Sequence, residues 1–571
     1  MGPAPRGSDG HAGAPAGPGC GRAAMEVGAE GFAQHLPRLR RRILRAAFVA
    51  LDVEFTGLHS TSVQNNEPSL FDSPAERYGK ARHSVQRFTL VQLGLAIFSK
   101  ENSNKYVVHS YNFFLFPSTL GIKDVEFTLS ASSIQFLSHY GFDYNKFLKD
   151  GIPYMNEVQE KILRQHLLAG TWKVCSTNNA DRDVLKKAIA EVTTWIGAAK
   201  EEDTMVLQDL SGYHMIEVQL VLRQALENVW TEPLGDKKVM VKKVSPEHRQ
   251  LLENSSYDRC QKKLILLSAR GFTNLFQILV KVKKPLVGHN MLMDLMHLHD
   301  KFYRPLPESY EEFKRNIHNL FPVIIDTKTV TKSLQKKCLF PRVSSLVEAY
   351  AVLCSSNLNP KGPPCPVIAL ASGCSRYAEK KFPHEAGYDA FLCGSVLLMS
   401  AHLLLCRSTD GAAEAEPSFS QYLAMLAEHV NKVNFIRGGV SSIVRMKCRT
   451  VTCVWGAENF SGEDSPCRHP PALVVHVRGW PGLTEGQIYQ EFKARCCFDV
   501  RRLSKNQFIL LSNKYKQVRH VLRDYRHHPH LRVSVYRHWR HSPSVNCLLQ
   551  ISGIVALWSL LAFMLGGTRS C

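Results

Sequence analysis

The chain is short of acid. Its 571 residues carry 71 lysines and arginines against 50 aspartates and glutamates, a formal net charge of +21. An excess of that size argues against cationic partners and for nucleic acid or an anionic surface. An apolar opening segment is also missing, and the sixteen cysteines follow no regular spacing. These two absences argue against export and against a disulfide framework; reduced thiols in the cytosol are expected instead. Cys448, Cys453, Cys467 and His469 come nearest to a zinc set, but their irregular spacing lacks the paired ligands such sites use. Cys571 ends the chain outside any prenylation motif.

Charge disappears altogether near the C-terminus. Residues 547–567, CLLQISGIVALWSLLAFMLGG, run 21 positions without a charged side chain. At ~1.5 Å per residue the segment reaches ~31 Å, the thickness of a bilayer's hydrocarbon core. The alternative is a buried core helix, which is rarely apolar all round so near a chain end. A transmembrane tail anchor is therefore expected. Residues 501–541, just before it, hold eleven lysines and arginines, six histidines and one aspartate. The positive-inside rule puts that flank, and the body preceding it, in the cytosol. A basic flank also suits anionic headgroups. A short span with basic flanks favours the mitochondrial outer membrane over the endoplasmic reticulum.

Four acids and one histidine stand out against the basic background. Asp52 and Glu54 lie in FVALDVEFTGL, Asp294 in PLVGHNMLMDLMH, and His384 and Asp389 in HEAGYDA. AAFVALDVEFTGL is apolar and β-branched and ends in a turn, so it reads as a buried strand on which Asp52 and Glu54 share a face. PLVGHN reads as a short strand entering a helix, with Asp294 in its first turn, where the helix dipole also favours an acid. His384 and Asp389 fall together at the start of a long helix. The plain alternatives are a solvated strand face, a helix-capping acid and a surface turn. Taken together, four converging carboxylates would repel and raise one another's pKa unless a cation lay between them. Mg²⁺ takes oxygen ligands, and two such ions clamp the attacking and leaving oxygens of a phosphodiester. A nearby histidine can take the proton of the attacking water.

The words LDVEFTGL, SIQFLSHYGFDYNKF, GIPYMNE, LVGHNMLMDLMH, FYRPLP, IIDTK and HEAGYDA span roughly residues 25–410. They resemble the poly(A)-specific ribonuclease (PARN) family of DEDD 3′→5′ exoribonucleases with a histidine in the third motif. The apolar tail adds a resemblance to the membrane-anchored PARN-like branch whose members trim piRNA 3′ ends. The resemblance implies an α/β, RNase H-like exonuclease fold, a mixed central sheet flanked by helices. It implies two Mg²⁺ ions, one held by Asp52, Glu54 and Asp389 and one by Asp52 and Asp294, with His384 as general base. It places Phe55, Thr56, His289, Asn290 and Lys328 along the RNA 3′ end and makes 5′-mononucleotides the product. It further implies precursor piRNAs held in PIWI proteins, a Tudor-domain scaffold as recruiter, and a homodimer. A membrane-bound poly(A) deadenylase and an inactive RNA-binding tether are the two rival readings.

The chain divides accordingly. Residues 1–24 are rich in Gly, Ala and Pro and are expected to be disordered. Residues 25–174 and 251–410 would form the nuclease, and 175–250 a small inserted α/β domain. That insertion lacks the Arg-x3-His motif of the PARN insertion in its helix GYHMIEVQLVLRQALENVW, so RNA contacts are not assigned to it. Beyond a low-complexity linker, residues 419–540 alternate strand and helix, as in a divergent RNA-recognition (RRM-like) module. LVVHV has no aromatic and QFILL only Phe508, which argues for phosphate attraction over base stacking. The run Arg38–Arg45 reads as the solvated face of an amphipathic helix, with contact to RNA phosphate or another subunit as the alternative.

Overall fold

A computed structural model describes residues 26–566 apart from 60–68, 102–103, 119, 121–124, 170–178, 211–212, 236, 338–340, 356–362, 409–415, 438–439, 447–471, 479–481, 494–497 and 513–514. The expected N-terminal extension and the group Cys448, Cys453, Cys467 and His469 lie outside the described residues. Two compact units form, one within residues 1–58 and 82–432, the other within 59–81 and 433–571.

The first unit is built on an eight-stranded mixed sheet. Its apolar runs become the strands Phe48–Phe55, Leu90–Lys100 and Lys105–Pro117, paired antiparallel in that order. Phe48–Phe55 pairs parallel on its other side with Leu286–Gly288, which pairs parallel with Ile324–Asp326. Glu26–Val27, Ile152–Tyr154 and Val367–Leu370 add parallel to Lys105–Pro117. The helix Ala386–Ser408 lies on one face of this sheet, in the apolar core that includes Ala50 and Ala96. By composition it could cross a membrane, but 83% of its apolar window is buried in protein. It is the core helix of the first unit.

One glycine decides how closely that helix approaches. Gly94 pairs across from Asp52, and a Cβ there would sit 1.9 Å from Ala386 O and 2.3 Å from Gly387 N. Side chains of the sheet then hold the helix start. Gln92 Oε1 accepts the Ala386 N–H at 3.0 Å, Asn112 Oδ1 accepts the Gly387 N–H at 2.6 Å, and Ser110 Oγ donates to Gly387 O at 2.6 Å. The first turn, with Asp389, is thereby pinned beside Asp52. Gly94→Ala should cost roughly 3 kcal/mol, the top of the usual range for forcing a methyl into a packed core, and should lower activity with it. Thermal unfolding checks this against Gly79→Ala, where a Cβ meets nothing within 4 Å. Equal melting temperatures for the two variants would refute it.

Two further regions complete the unit. The helices Asn179–Ala198 and Tyr213–Ala225 pack on a three-stranded antiparallel sheet of Thr204–Leu207, Lys238–Lys243 and Val229–Gly235. Arg223 in the second helix lies 3.7 Å from the centre of the Trp230 ring, donates to Thr231 Oγ1 at 2.9 Å and pairs with Asp258 at 2.8 Å. That arginine fastens the insertion to the helix Ser256–Arg270. The helix Ala29–Arg45 buries Phe32, Leu39 and Ile43 and exposes Arg38, Arg40, Arg41 and Arg45, while Arg42 reaches the Tyr111 hydroxyl.

The second unit takes up the chain at Val433. Phe419–Met425 is a helix whose Tyr422, with Leu426 just beyond it, is buried in the core of the first unit, and that unit runs to Lys432. The C-terminal module has the order strand Ala472–Val477, helix Glu485–Lys493, strands Phe498–Ser504 and Gln507–Ser512, helix Tyr515–Asp524 and strand Leu531–Val535. The sequence VRRLSKNQFILLS is thus a hairpin turning at Lys505 and Asn506. All four strands pair antiparallel. The last helix, Pro543–Gly566, is long and apolar enough to cross a membrane, and none of its apolar window is buried; Phe563 is 82% exposed.

Candidate active site

The strand, the two short βα turns and the long helix bring the predicted acids together. Asp52 and Glu54 are half-buried on one face of Phe48–Phe55, and Asp294 and Asp389 are buried in the first turns of their helices. Glu54, His384 and Asp389 offer ligand atoms all within 4.8 Å of one another. Burial raises the Asp52 carboxyl well above the aspartate range, and the charges of Asp389, Asp294 and Glu54 raise it further. Burial, then Asp389 and Asp294, does the same to Glu54. Asp294 is pushed up to about 7, mainly by burial with Asp326 adding, and Asp389 to about 7 by burial with Glu385 adding. Carboxylates arranged this way fit a hard divalent cation: each oxygen resists ionising without one.

His384 stands at the edge of this cluster. Its φ of +62° is in the left-handed region, a strain a non-glycine residue bears at a cost of order 1 kcal/mol. The main-chain N–H of His384 donates to Asp389 Oδ2 at 3.0 Å, which locks the turn. Nδ1 lies 3.8 Å from Glu54 Oε1. Burial lowers the imidazole's proton affinity, so the ring is neutral near pH 7 and free to accept a proton. Phe136 and Tyr140, one turn apart on the helix Ala131–His139 and its C-cap, bring their rings to 4.5 and 4.4 Å from it. These two aromatics were visible in the sequence only as part of SIQFLSHYGFDYNKF.

The residues expected along the RNA 3′ end fall at the ends of three strands, Phe48–Phe55, Leu286–Gly288 and Ile324–Asp326. Phe55 packs on His297 with ring centres 4.3 Å apart. Thr56 is buried, and its Oγ1 accepts the Thr89 N–H at 3.0 Å. His289 Nδ1 lies 2.8 Å from Thr327 Oγ1; burial, with Lys328 and Lys332 adding, lowers it to about 3, so it is neutral. Asn290 takes a φ of +60°, and Lys328 Nζ donates to Ser344 O at 2.7 Å. Asp326, a residue not singled out from the sequence, organises this side. Wholly buried, its carboxylate accepts the N–H groups of Asn290 at 2.8 Å, Met291 at 3.2 Å and Lys328 at 2.9 Å. It therefore sets the turn that delivers Asp294. The word IIDTK was its only signal.

Residues 27–397 match the model of the CAF1 family ribonucleases. The chain is 56% identical over 546 residues to "Poly(A)-specific ribonuclease PNLDC1" of Mus musculus, covering 95% of this chain and 99% of that protein. It is 27% identical over 544 residues to "Pre-piRNA 3'-exonuclease trimmer" of Bombyx mori, covering 94% and 96%. To "Poly(A)-specific ribonuclease PARN" of Xenopus laevis it is 30% identical over 412 residues, covering 66% of this chain and 63% of that protein.

Proposed function

The chain belongs to the CAF1 ribonuclease family, and from that premise we propose that it shortens single-stranded RNA from the 3′ end, releasing 5′-mononucleotides, and that its natural substrates are precursor piRNAs. One observation carries the chemistry: Glu54, Asp389 and His384 converge within 4.8 Å beside the mutually repelling Asp52 and Asp294. Asp52, Glu54 and Asp389 would hold one Mg²⁺, and Asp52 and Asp294 a second. When bound, the pair supplies charge stabilisation to the attacking and leaving oxygens of the phosphodiester. His384, neutral and held by its own turn, takes the proton of the attacking water. The Phe136 and Tyr140 rings flank the imidazole. Phe55, Thr56, His289, Asn290 and Lys328 would seat the terminal nucleotide, with Asp326 setting the backbone of the last two. The C-terminal module we read as RRM-like from its strand and helix order.

A grip on the terminal ribose uses the 2′-hydroxyl as donor and acceptor. A 2′-O-methyl group at the 3′ end should therefore slow shortening by ~10-fold or more, the scale of one lost hydrogen bond with added bulk. Equal rates on methylated and unmethylated RNA would exclude a reading pocket of this kind. Comparing naked poly(A) with mixed-sequence 3′ tails separates precursor trimming from deadenylation: a strong poly(A) preference would favour the rival reading.

The Pro543–Gly566 helix we read as a tail anchor with the nuclease in the cytosol, at the mitochondrial outer membrane in preference to the endoplasmic reticulum. There PIWI-bound RNA on a Tudor-domain scaffold would meet the enzyme at high effective concentration. Deleting residues 545–571 should leave turnover on naked RNA unchanged, release the protein from membranes and leave cellular substrates too long. Fractionation and 3′-end sequencing check this; a truncated protein that still pellets with membranes would show that the span is not the anchor.

A further inference from the structure

The sheet of the C-terminal module has two faces. Leu473, Val475, Phe508 and Leu510 point into its core against the helices. Strand alternation sends Val474, Ile509, Asp499 and Arg501 to the other, open face. RNA-recognition sheets stack bases on aromatics there; this face carries no Phe, Tyr or Trp. Val474 and Ile509, at the middle of that face, are nevertheless only 2% and 8% exposed.

The turn Ser69–Asp72, in the same compact unit, meets that face at its edge strand Phe498–Ser504. Asp499 Oδ2 accepts the Leu70 N–H and, at 3.2 Å, the Ser69 hydroxyl. The Arg501 guanidinium lies 4.8 Å from the centre of the Phe71 ring. The turn holds its own shape: Asp72 N donates to Ser69 O at 2.9 Å, Asp72 Oδ2 accepts the Ser69 N–H at 2.5 Å, and Lys80 Nζ sits 2.8 Å from Asp72 Oδ1. It belongs to the stretch of chain that leaves the Asp52–Glu54 strand after Leu58 and rejoins the first unit at Arg82.

We propose that the open sheet face of the C-terminal module is a socket for the chain's own Ser69–Asp72 turn, and not a platform for RNA bases. A carboxylate that captures a main-chain N–H and a guanidinium that captures a ring are the elements of peptide recognition, each strong for its size. Neither needs the aromatic residues the strands lack. The module thereby anchors the stretch that follows the catalytic strand, and its basic surface is left to attract phosphate without reading bases. The identity of the competing ligand rests on the ribonuclease reading; the contact itself does not.

The full chain in detergent tests this in two arms. In limited proteolysis, Asp499→Ala and Phe71→Ala should each speed cleavage within residues 59–81 by about tenfold or more, as a locally released segment does. Asp499→Asn, whose amide oxygen still accepts the Leu70 N–H, should stay within about threefold of the parent. Unchanged cleavage in both alanine variants would overturn the proposal, whether or not the protein shortens RNA. In the second arm, single-stranded RNA carrying 4-thiouridine is photo-crosslinked in chelator. No crosslink should fall on Ala472–Val477 or Gln507–Ser512. Crosslinks on those strands that Arg501→Ala removes would make the face an RNA platform instead.

Discussion

Alanine at any one of Asp52, Glu54, Asp294 or Asp389 should all but abolish RNA shortening. Losing a metal-holding carboxylate removes several kcal/mol of transition-state stabilisation; at ~1.4 kcal/mol per decade the loss is on the order of 10³-fold. The fold should survive. In the metal-free protein Asp389, Asp294 and Glu54 raise the proton affinity of Asp52, and Asp389 and Asp294 that of Glu54, so removing one carboxyl relieves repulsion and should raise the melting temperature. Single-turnover rates and thermal unfolding in chelator measure both effects. A variant with near-normal Mg²⁺-dependent activity would end the two-metal assignment.

The same cluster sets a pH dependence. An unfolded aspartate titrates near 3.9, whereas Asp294 and Asp389 are each pushed up to about 7 in the folded protein. Between those values the folded state binds more protons than the unfolded one, so stability falls as pH rises through that window. In chelator the melting temperature should drop from about pH 5 to about pH 8, and Mg²⁺ should remove most of the drop by binding only the folded, ionised form. A flat profile in chelator would mean that the four carboxyls are not forced together in solution.

How much of this was legible in the sequence depends on how each residue acts. Asp52 and Glu54 were legible because a two-residue period on a β-branched run fixes a shared face. Asp294, His384 and Asp389 were legible in order and company, through short words that carry the family resemblance. Asp326 was not, because it works through three main-chain N–H groups brought from two separate turns. Gly94 was not, because a glycine inside a strand pattern says nothing of the helix that will press on it. Phe136 and Tyr140 sit on a short helix far from His384 in sequence, and only the tertiary fold gives the pair its imidazole. That Phe419–Met425 packs on the nuclease core was not legible either, because only burial of Tyr422 there shows it. Asp499 and Phe71 lie more than four hundred residues apart, beyond any periodicity argument.

His384→Ala should lower the rate by ~10²-fold or more, the usual size of a general-base contribution, with RNA affinity largely kept. The geometry supports a proton acceptor over a ligand for substrate. The ring is neutral because burial disfavours its charged form. Its Nδ1 lies 3.8 Å from Glu54 Oε1, so a water held by Glu54 and Asp389 would be within its reach. The left-handed backbone at +62° and the N–H bond to Asp389 tie the ring's placement to a carboxylate of the cluster. Asparagine, which tolerates that backbone but cannot accept a proton at pH 7, is the sharper replacement: His384→Asn should keep the fold and the affinity and lose the same ~10²-fold. Single-turnover rates with saturating RNA separate chemistry from binding. If affinity fell and the saturated rate did not, His384 would be holding the substrate, and the proton would have to leave by another residue.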